Sequence, residues 1–96
     1  MHSLIIGGGK IGYYLTKVLI EKGYDVSVVE KEKDACQKFA NDLNITVIKG
    51  DGTSVSVLEQ AGVADADSVI AVTGRDEDNL VACQIAKRLY QVKKTI

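Results

Sequence analysis

The stretch Leu4-Ile5-Ile6-Gly7-Gly8-Gly9-Lys10-Ile11-Gly12 decides the fold of this chain, because it joins a strand-like apolar run to a glycine-rich turn. A helical pattern begins at about Lys10. Gly7, Gly9 and Gly12 occupy the three glycine positions of a G-x-G-x-x-G pattern. The first glycine allows a tight turn, the second leaves room for a phosphate, and the third lets the helix pack closely on the strand. The N-terminus of that helix then favours an anion, because its N–H groups are free and its dipole is positive there.

An acidic residue at the end of the next apolar run strengthens this interpretation. Glu30 lies 18 residues after Gly12. In dinucleotide-binding folds a carboxylate at this place accepts hydrogen bonds from ribose hydroxyls and repels a 2′-phosphate. Lys31 and Lys33 would soften that repulsion, but the pattern favours NAD or an adenine nucleotide over NADP. The alternative is a glycine turn without a ligand, in which Glu30 only caps or solvates the following helix.

The composition predicts one small globular domain over residues 1–96. Charged residues make up 26% and hydrophobic residues 46% of the chain, and the net charge is −1. That charge gives no reason to expect nucleic acid as a partner. No apolar run approaches the roughly 20 residues that span a bilayer, and no signal peptide is recognisable, so we expect a cytoplasmic protein without direct membrane insertion. Cys36 and Cys83 are expected to be reduced and half-buried.

Hydrophobic periodicity predicts alternating strands and helices. The strands are expected at residues 1–6, 25–30, 45–49 and 68–72, and the helices at 10–22, 32–43, 54–61 and 76–90. Gly23 is expected to stop the first helix, whose core face is predicted to carry Ile11, Leu15, Val18 and Leu19. Because the strands are nearly continuous in Val and Ile, both faces of the sheet should be covered. We therefore predict an α/β fold, a Rossmann-like doubly wound parallel sheet of strand order 3-2-1-4.

The end of the chain raises a question about the sheet edge. The sequence stops at Val92-Lys93-Lys94-Thr95-Ile96, where a fifth strand should be starting. Strand four would then be a bare edge, which natural proteins usually cover. We therefore expect either a domain truncated before strands 5 and 6 or a second copy that covers this edge.

Further candidate residues follow strands three and four, at the carboxyl edge where ligands bind in such folds. Asp51 could bond an adenine amino group or shape the Asp-Gly turn. Arg75 could pair with phosphate or reach a neighbouring subunit. The acidic run at 76–78 is expected to compensate the helix dipole rather than to bind a metal. Lys10 adds positive charge near the phosphates, unless it is simply solvated.

Two apparent catalytic signals are set aside. Tyr13 and Lys17 have the Tyr-x-x-x-Lys spacing of short-chain dehydrogenases, but they lie directly after the glycine loop rather than far downstream. His2 precedes the first strand, at the end opposite to the ligand edge, and is a poor general base on geometry. The chain therefore shows a nucleotide site without a visible catalytic acid or base, which points away from a complete dehydrogenase.

With these residues in place, the chain resembles the nucleotide-binding N-terminal domain of the RCK/KTN (TrkA-N) family, the cytosolic regulators of potassium transport. The resemblance runs over essentially all 96 residues. Beyond the glycine loop it includes Val29-Glu30, Gly50-Asp51-Gly52-Thr53, the segments 58–62 and 66–67, and the stretch from Ala71 to Asn79. The combination after strands three and four is more distinctive than the glycine loop.

The resemblance implies binding of NAD(H) or ATP/ADP, assembly into homodimers or higher oligomers such as octameric rings, and gating of a membrane potassium channel or transporter. It implies a cytoplasmic location, peripheral to the inner face of the cell membrane through that partner. Lys10 matches a usually basic position that contacts phosphate, Glu30 the ribose acid and Asp51 a residue near the adenosine. Thr73 and Arg75 fall in the loop that flanks the phosphates. The family domain continues through two further strands and helices, so an incomplete fragment is expected.

The predicted function is a ligand-sensing regulatory module rather than an enzyme. The alternative is the cofactor-binding half of an NAD-dependent oxidoreductase whose catalysis lies on another domain, and a third possibility is a purely structural dimerisation domain. The predicted nucleotide-binding residues are Gly7, Gly8, Gly9, Lys10, Ile11, Gly12, Glu30, Lys31, Asp51, Gly52, Thr53, Thr73, Gly74 and Arg75.

Overall fold

The computed structural model describes residues 1–96 and contains one parallel sheet with helices on both faces. The strands are β1 (His2–Ile6), β2 (Asp25–Glu30), β3 (Thr46–Lys49), β4 (Ser68–Ala71) and β5 (Lys94–Thr95). The helices are α1 (Lys10–Glu21), α2 (Lys33–Asp42), α3 (Val55–Gln60) and α4 (Asp76–Tyr90), with a 3-10 turn at Val63–Asp65. The strand order is β3-β2-β1-β4-β5. The predicted α/β fold and the order 3-2-1-4 are confirmed.

The expectation that strand four is a bare edge is wrong, because β5 pairs with it. Ser68 is aligned with Lys94 and Val69 with Thr95. The backbone of Ile96 extends the pairing, since its N–H donates to Val69 and its carbonyl accepts from Ala71, at 2.9 and 2.8 Å. A covered edge gives no reason to expect a second copy there, so the oligomer predicted on that ground loses this support.

The turn into β5 explains how so short a strand reaches the edge. Gln91 ends α4 in the left-handed region, with φ at 51°. Val92 follows and is buried, and its N–H donates to the carbonyl of Ala86. The left-handed turn at Gln91 and the burial of Val92 together place the last residues beside β4.

The core lies in two layers on opposite faces of the sheet, because successive side chains of a strand point to opposite faces. Leu4 and Ile6 of β1 face α3 and α4, in a cluster that includes Leu58, Val63 and Ala82. The other layer consists of Ile5, Val26, Val28 and Phe39, and side chains of α1 and α2 pack on them. The doubly wound arrangement predicted from the Val and Ile content is therefore the one observed.

The predicted core face of α1 is wrong at Ile11, which is 72% exposed. The inward face of the helix is centred instead on Gly12 and Thr16, which are buried. Thr16 donates its hydroxyl to the carbonyl of Gly12 at 2.7 Å. Because these two small residues allow close packing on the sheet, the bulkier Ile11 is turned to the outside. Gly23 stops the helix as expected, with φ at 86°.

The four long strands end at a single edge of the sheet. In the parallel register Ile6 is aligned with Val29 and with Ala71, and Glu30 with Lys49. The loops that follow β1, β2, β3 and β4 therefore meet at the carboxyl edge, where open α/β sheets bind ligands. No helix of the chain has both the length and the apolar character needed to cross a membrane.

Candidate functional site

A cleft of about 370 Å³ lies at the carboxyl edge of the sheet, between the loops that follow the first four strands. Ten of the fourteen predicted site residues line it: Gly7, Gly8, Gly9, Glu30, Lys31, Asp51, Gly52, Thr73, Gly74 and Arg75. Chain segments up to about 70 residues apart in sequence thus meet in one place. Their role in binding stays a prediction.

Four predicted residues do not line this cleft. Lys10 and Ile11 begin α1 with exposed side chains, directly after the glycine loop. Gly12 is buried between the helix and the turn. Thr53 lies behind Asp51, and both its N–H and its hydroxyl donate to that carboxylate. The structure gives Gly12 and Thr53 roles in packing and turn formation.

Close main-chain packing holds the glycine loop in position. Gly7 has φ at 106°, a conformation that side chains rarely adopt, and a Cβ there would lie 2.8 Å from the backbone nitrogen of Thr73. A Cβ on Gly12 would lie 2.2 Å from the carbonyl oxygen of Gly7. A Cβ on Gly9, in contrast, would point into open space, with nothing within 4 Å. The three glycines thus serve the turn, the helix contact and an open approach to the backbone.

The N-terminus of α1 opens from this loop with its donors free. Gly9 is the N-cap and offers no side-chain cap. The N–H groups of Gly9, Lys10 and Ile11 have no acceptor within the protein. Because the first turn of a helix carries several unpaired N–H groups and the positive end of the dipole, this is an anion-binding arrangement.

Glu30 is a buried carboxylate at the floor of the cleft, only 8% exposed. One of its oxygens accepts the N–H of Gly8, and the other accepts the N–H of Glu32 at 2.6 Å. A Cβ on Gly8 would collide with this carboxylate and with Phe39, so the middle glycine of the loop is also required by packing. An ionised carboxylate has about four acceptor positions, so two remain for ligand hydroxyls.

Asp51 shapes the turn after β3, one of the two roles that the sequence left open. Its Oδ1 accepts both the N–H and the hydroxyl of Thr53, each at 2.8 Å, which closes the turn after β3. The N–H bond, followed by the hydroxyl bond, lowers the pKa of Asp51 below its ordinary value. The carboxyl group is exposed at the cleft, and its second oxygen makes no hydrogen bond within the protein. Turn formation therefore leaves one oxygen available to a ligand.

The loop after β4 is held by side chains. Asn79, on the first turn of α4, bonds Thr73 through its amide oxygen and its amide nitrogen. Arg75 extends from the same loop and pairs with Glu77 at 3.0 Å and with Asp78 at 3.6 Å. The pKa of Glu77 is lowered, first by its own backbone N–H and then by Arg75. The exposed acids thus act at the helix N-terminus and as partners of Arg75.

The charged side chains along the cleft do not give it a positive surface. Four carboxylates, those of Glu30, Glu32, Asp51 and Asp78, line it together with only two cations, Lys31 and Arg75. Phosphate recognition here would therefore depend on backbone N–H groups and on the dipole of α1 more than on side-chain charge. The acidic side fits hydroxyl and amino groups, which donate hydrogen bonds.

Sequence analysis missed several contributors to this cleft. Ile6, Val29, Gly50, Val72, Glu32 and Asp78 also line it, because each directly precedes or follows a predicted site residue or lies on the first turn of α4. Asn79 was quoted only as part of a motif. Its spacing of six residues from Thr73, across the start of a predicted helix, was the available signal for a loop-to-helix bond.

The residues set aside as catalytic decoys are occupied elsewhere. The ring of His2 bonds Ser27 at 2.9 Å at the amino end of the sheet. The hydroxyl of Tyr13 donates to Asp42 at 2.8 Å, and this bond raises the pKa of the phenol. Cys36 and Cys83 are half-buried, as expected, and burial raises the pKa of both thiols. No three His, Cys, Asp or Glu side chains are grouped so that they could hold a metal ion.

The profile of the TrkA-N domain matches residues 3–96. The chain belongs to the TrkA-N domain family. The resemblance inferred from the sequence is thereby confirmed.

Known proteins of this kind are longer than the chain. The Trk system potassium uptake protein TrkA homolog of Methanothermobacter thermautotrophicus is 42% identical over 96 residues, which are 100% of this chain and 44% of that protein. The TrkA-N chain thus spans less than half the length of this relative.

Solved structures agree with the fold. The GsuK channel bound to NAD matches with a TM-score of 0.82 and 29% identity, over 97% of this chain and 17% of that chain. The Kef CTD of Shewanella denitrificans in its AMP-bound form matches with a TM-score of 0.83 over 99% of this chain and 57% of that chain. The identity to Kef is 22%, which supports the shared fold alone.

Proposed function

We propose that residues 1–96 form the nucleotide-binding part of a regulator of potassium uptake, with NAD(H) or ATP/ADP as ligand. One observation carries the proposal: Gly9 leaves an open approach to the unpaired N–H groups of α1, directly beside the buried carboxylate of Glu30. These two groups suit the two chemically different parts of a nucleotide, its phosphates and its ribose. The GsuK channel, which shares the fold at 29% identity, has a structure bound to NAD.

The residues fit such a ligand without rearrangement of the glycine loop. A diphosphate would approach Gly9 and the first N–H groups of α1, and ribose hydroxyls would donate to the remaining lone pairs of Glu30. Asp51 offers its second oxygen to an adenine amino group. Lys10 and Arg75, both exposed at or beside the mouth of the cleft, supply mobile positive charge for terminal phosphates.

Glu30 also favours NAD over NADP as the dinucleotide ligand. A 2′-phosphate would place negative charge against a buried carboxylate whose two oxygens are already held by Gly8 and Glu32. Because Glu30 cannot turn away without breaking both bonds, we expect NAD to bind at least about tenfold more tightly than NADP, since one strong repulsive or lost contact is worth more than 1.4 kcal/mol.

Calorimetric titration of the purified chain with NAD, NADH, ATP and ADP tests the proposal. We expect micromolar binding of at least one of the four. Substitution of Glu30 by Ala would also release two backbone N–H groups and disturb the loop. The sharper probe of the ribose contact is therefore the ligand: 2′-deoxy-ADP should bind more weakly than ADP. A folded chain that binds none of the four nucleotides would contradict the proposal.

The regulatory role is proposed from the relatives. We propose that nucleotide binding stabilises one arrangement of paired domains, that a membrane potassium channel or transporter responds to that arrangement, and that the chain acts at the inner face of the membrane. Ligands can drive such a change only when they bind the two arrangements with different affinities. Size-exclusion chromatography with light scattering, with and without nucleotide, tests the homodimer. A monomer under all conditions, in a protein of the length of the relatives, would contradict it.

We further propose that the chain senses the nucleotide rather than using it as a redox cofactor. NADH mixed with the full-length protein and a range of carbonyl compounds should keep its absorbance. Consumption of NADH above the rate without protein would support the oxidoreductase alternative instead.

A further inference from the structure

We propose that Asn79 is a positioning residue for the nucleotide site, because it fixes the Thr73 loop at the mouth of the cleft. The inference rests on the proposed nucleotide binding and names a residue that no sequence argument assigned to the site. Asn79 itself does not line the cleft. It acts through Thr73, which does.

Three hydrogen bonds join the side chain of Asn79 to Thr73. The amide oxygen of Asn79 accepts the backbone N–H of Thr73 at 2.9 Å and its hydroxyl at 2.5 Å. The amide nitrogen of Asn79 donates to the carbonyl of Thr73 at 3.2 Å. A reversed amide would place its N–H₂ group against the N–H of Thr73 and its oxygen against the carbonyl of Thr73, so these two backbone bonds fix its orientation. One side chain thus bonds all three polar groups of one residue.

The bonds between Asn79 and Thr73 lie directly beyond the last main-chain hydrogen bond of β4 to β1. The last main-chain bond of this strand to β1 runs from the N–H of Val72 to the carbonyl of Ile6, at 2.8 Å. Beyond it, Thr73, Gly74 and Arg75 have no pairing with another strand. The N-cap of α4, Arg75, provides no side-chain cap. Within the loop the Thr73 hydroxyl bonds the backbone of Arg75, and Asn79 supplies the side-chain bonds that tie Thr73 to α4.

The restraint reaches the glycine loop by direct contact. An added Cβ on Gly7 would lie 2.8 Å from the backbone nitrogen of Thr73, so the two main chains are closely packed. The N–H of Thr73, which belongs to that contact, is the one that Asn79 accepts. A displaced Thr73 would change both the wall that carries Arg75 and the support of the turn at Gly7. Loss of Asn79 should therefore weaken contacts to the phosphates more than contacts to the ribose and base.

The test is a titration of AMP, ADP and ATP against the wild-type chain, Asn79→Ala and Ser68→Ala. Ser68 is the matched control, because it is buried, loses a hydrogen bond of 2.8 Å to Ser3, and lies at the amino end of β4. We expect both variants to melt at a lower temperature. Asn79→Ala should raise the Kd for ADP and ATP by about tenfold, the scale of one or two lost hydrogen bonds, with a smaller change for AMP. Ser68→Ala should bind all three as the wild type does.

A second variant keeps the inference testable if Asn79→Ala does not fold. Thr73→Val removes the hydroxyl bond to Asn79 and the hydroxyl contacts with the backbone of Arg75, and it retains the two backbone bonds to Asn79. It should weaken the binding of ADP and ATP more than the binding of AMP, as Asn79→Ala does. Where both fold, the double variant should show a non-additive loss, because the two residues act as one unit.

The outcomes are distinguishable. If the wild-type chain binds none of the three nucleotides, the proposed function fails and this inference fails with it. If the wild-type chain binds and Asn79→Ala binds equally well, only the positioning role is overturned. An equal loss for AMP, ADP and ATP also overturns it, because a general loosening of the fold would act on all three alike.

Discussion

Residues 7–9 of the glycine loop and the loop at residues 73–75 form two walls of the same cleft, but different interactions hold them. Close main-chain contacts hold the first wall, where a Cβ on Gly12 would lie 2.2 Å from the carbonyl of Gly7, together with one side-chain bond from the N–H of Gly8 to Glu30. Side-chain hydrogen bonds fix the second wall, where Asn79 holds Thr73. Close main-chain packing can be recognised in the sequence, because it requires glycines at the points of contact. A side-chain restraint leaves only one polar residue on a helix.

The largest expected change is in the free energy of unfolding, for a substitution that tests whether close packing holds the first wall. Gly12→Ala forces a methyl group into a backbone oxygen that cannot move without breaking the turn. We expect a loss of about 3 kcal/mol or more in the free energy of unfolding, measured by urea denaturation. Gly9→Ala is the matched control, because its methyl group points into open space and should cost less than about 1 kcal/mol. Equal losses in the two variants would show that packing does not distinguish them.

The second effect concerns the carboxylate that braces the first wall. Glu30→Gln replaces one acceptor by a donor, so the N–H of Gly8 or of Glu32 loses its partner. We expect destabilisation of about 1–3 kcal/mol in the same denaturation experiment. Glu32→Gln is the control, because Glu32 contributes only its backbone N–H and its side chain is exposed. That variant should remain within about 0.5 kcal/mol of the wild type. A Glu30→Gln protein as stable as Glu32→Gln would contradict the bracing role.

A third prediction separates binding from stability on the same wall. Gly9→Ala should fold normally but lower nucleotide affinity by about tenfold, because its methyl group occupies the approach to the backbone N–H groups. Calorimetry with the best wild-type ligand measures this loss. Unchanged affinity would place the phosphates elsewhere in the cleft.

The smallest effect is expected at Asp51, on the loop after β3. Its pKa is lowered in the folded chain, so its contribution to stability is present above the unfolded value of about 3.9 and lost as the pH falls through the folded value. Solvent screening keeps this contribution below about 1 kcal/mol, because the group is exposed. The difference in unfolding free energy between wild type and Asp51→Asn should be constant near neutral pH and shrink below pH of about 4. A difference that grows as the pH falls would contradict the predicted sign of the Asp51 contribution.

Much of the fold could be predicted because its determinants are local and repetitive. The apolar runs before Gly7 and Glu30 identify strands, and their alternation with helical patterns fixes a parallel sheet. The sequence indicated where a fifth strand should start, but not that residues 94–95 already pair with strand four, since Lys94-Thr95 has no hydrophobic period. The exposure of Ile11 was also hidden, because a helical pattern does not reveal that a small residue such as Thr16 faces the sheet.

The cleft was predictable where residues follow strand ends, because parallel strands bring those positions together. The second role of Gly8 was not predictable, since it depends on how closely Glu30 and Phe39 approach in three dimensions. Asn79 was missed for the same reason. Its partner, Thr73, lies across a loop whose shape the sequence pattern does not define.

The double bonding of Glu30 has a consequence for the thermodynamics of binding. Its carboxylate, the loop at Gly8 and the N–H of Glu32 are already ordered without a nucleotide, so this half of the site is preorganised. A ligand would lose little free energy in arranging it. The exposed guanidinium of Arg75, if it pairs with phosphate as proposed, would instead exchange Glu77 and Asp78 for that phosphate and give up side-chain freedom. The entropic cost of association is therefore expected to fall on the Arg75 side of the cleft, while the Glu30 side is rigid from the outset.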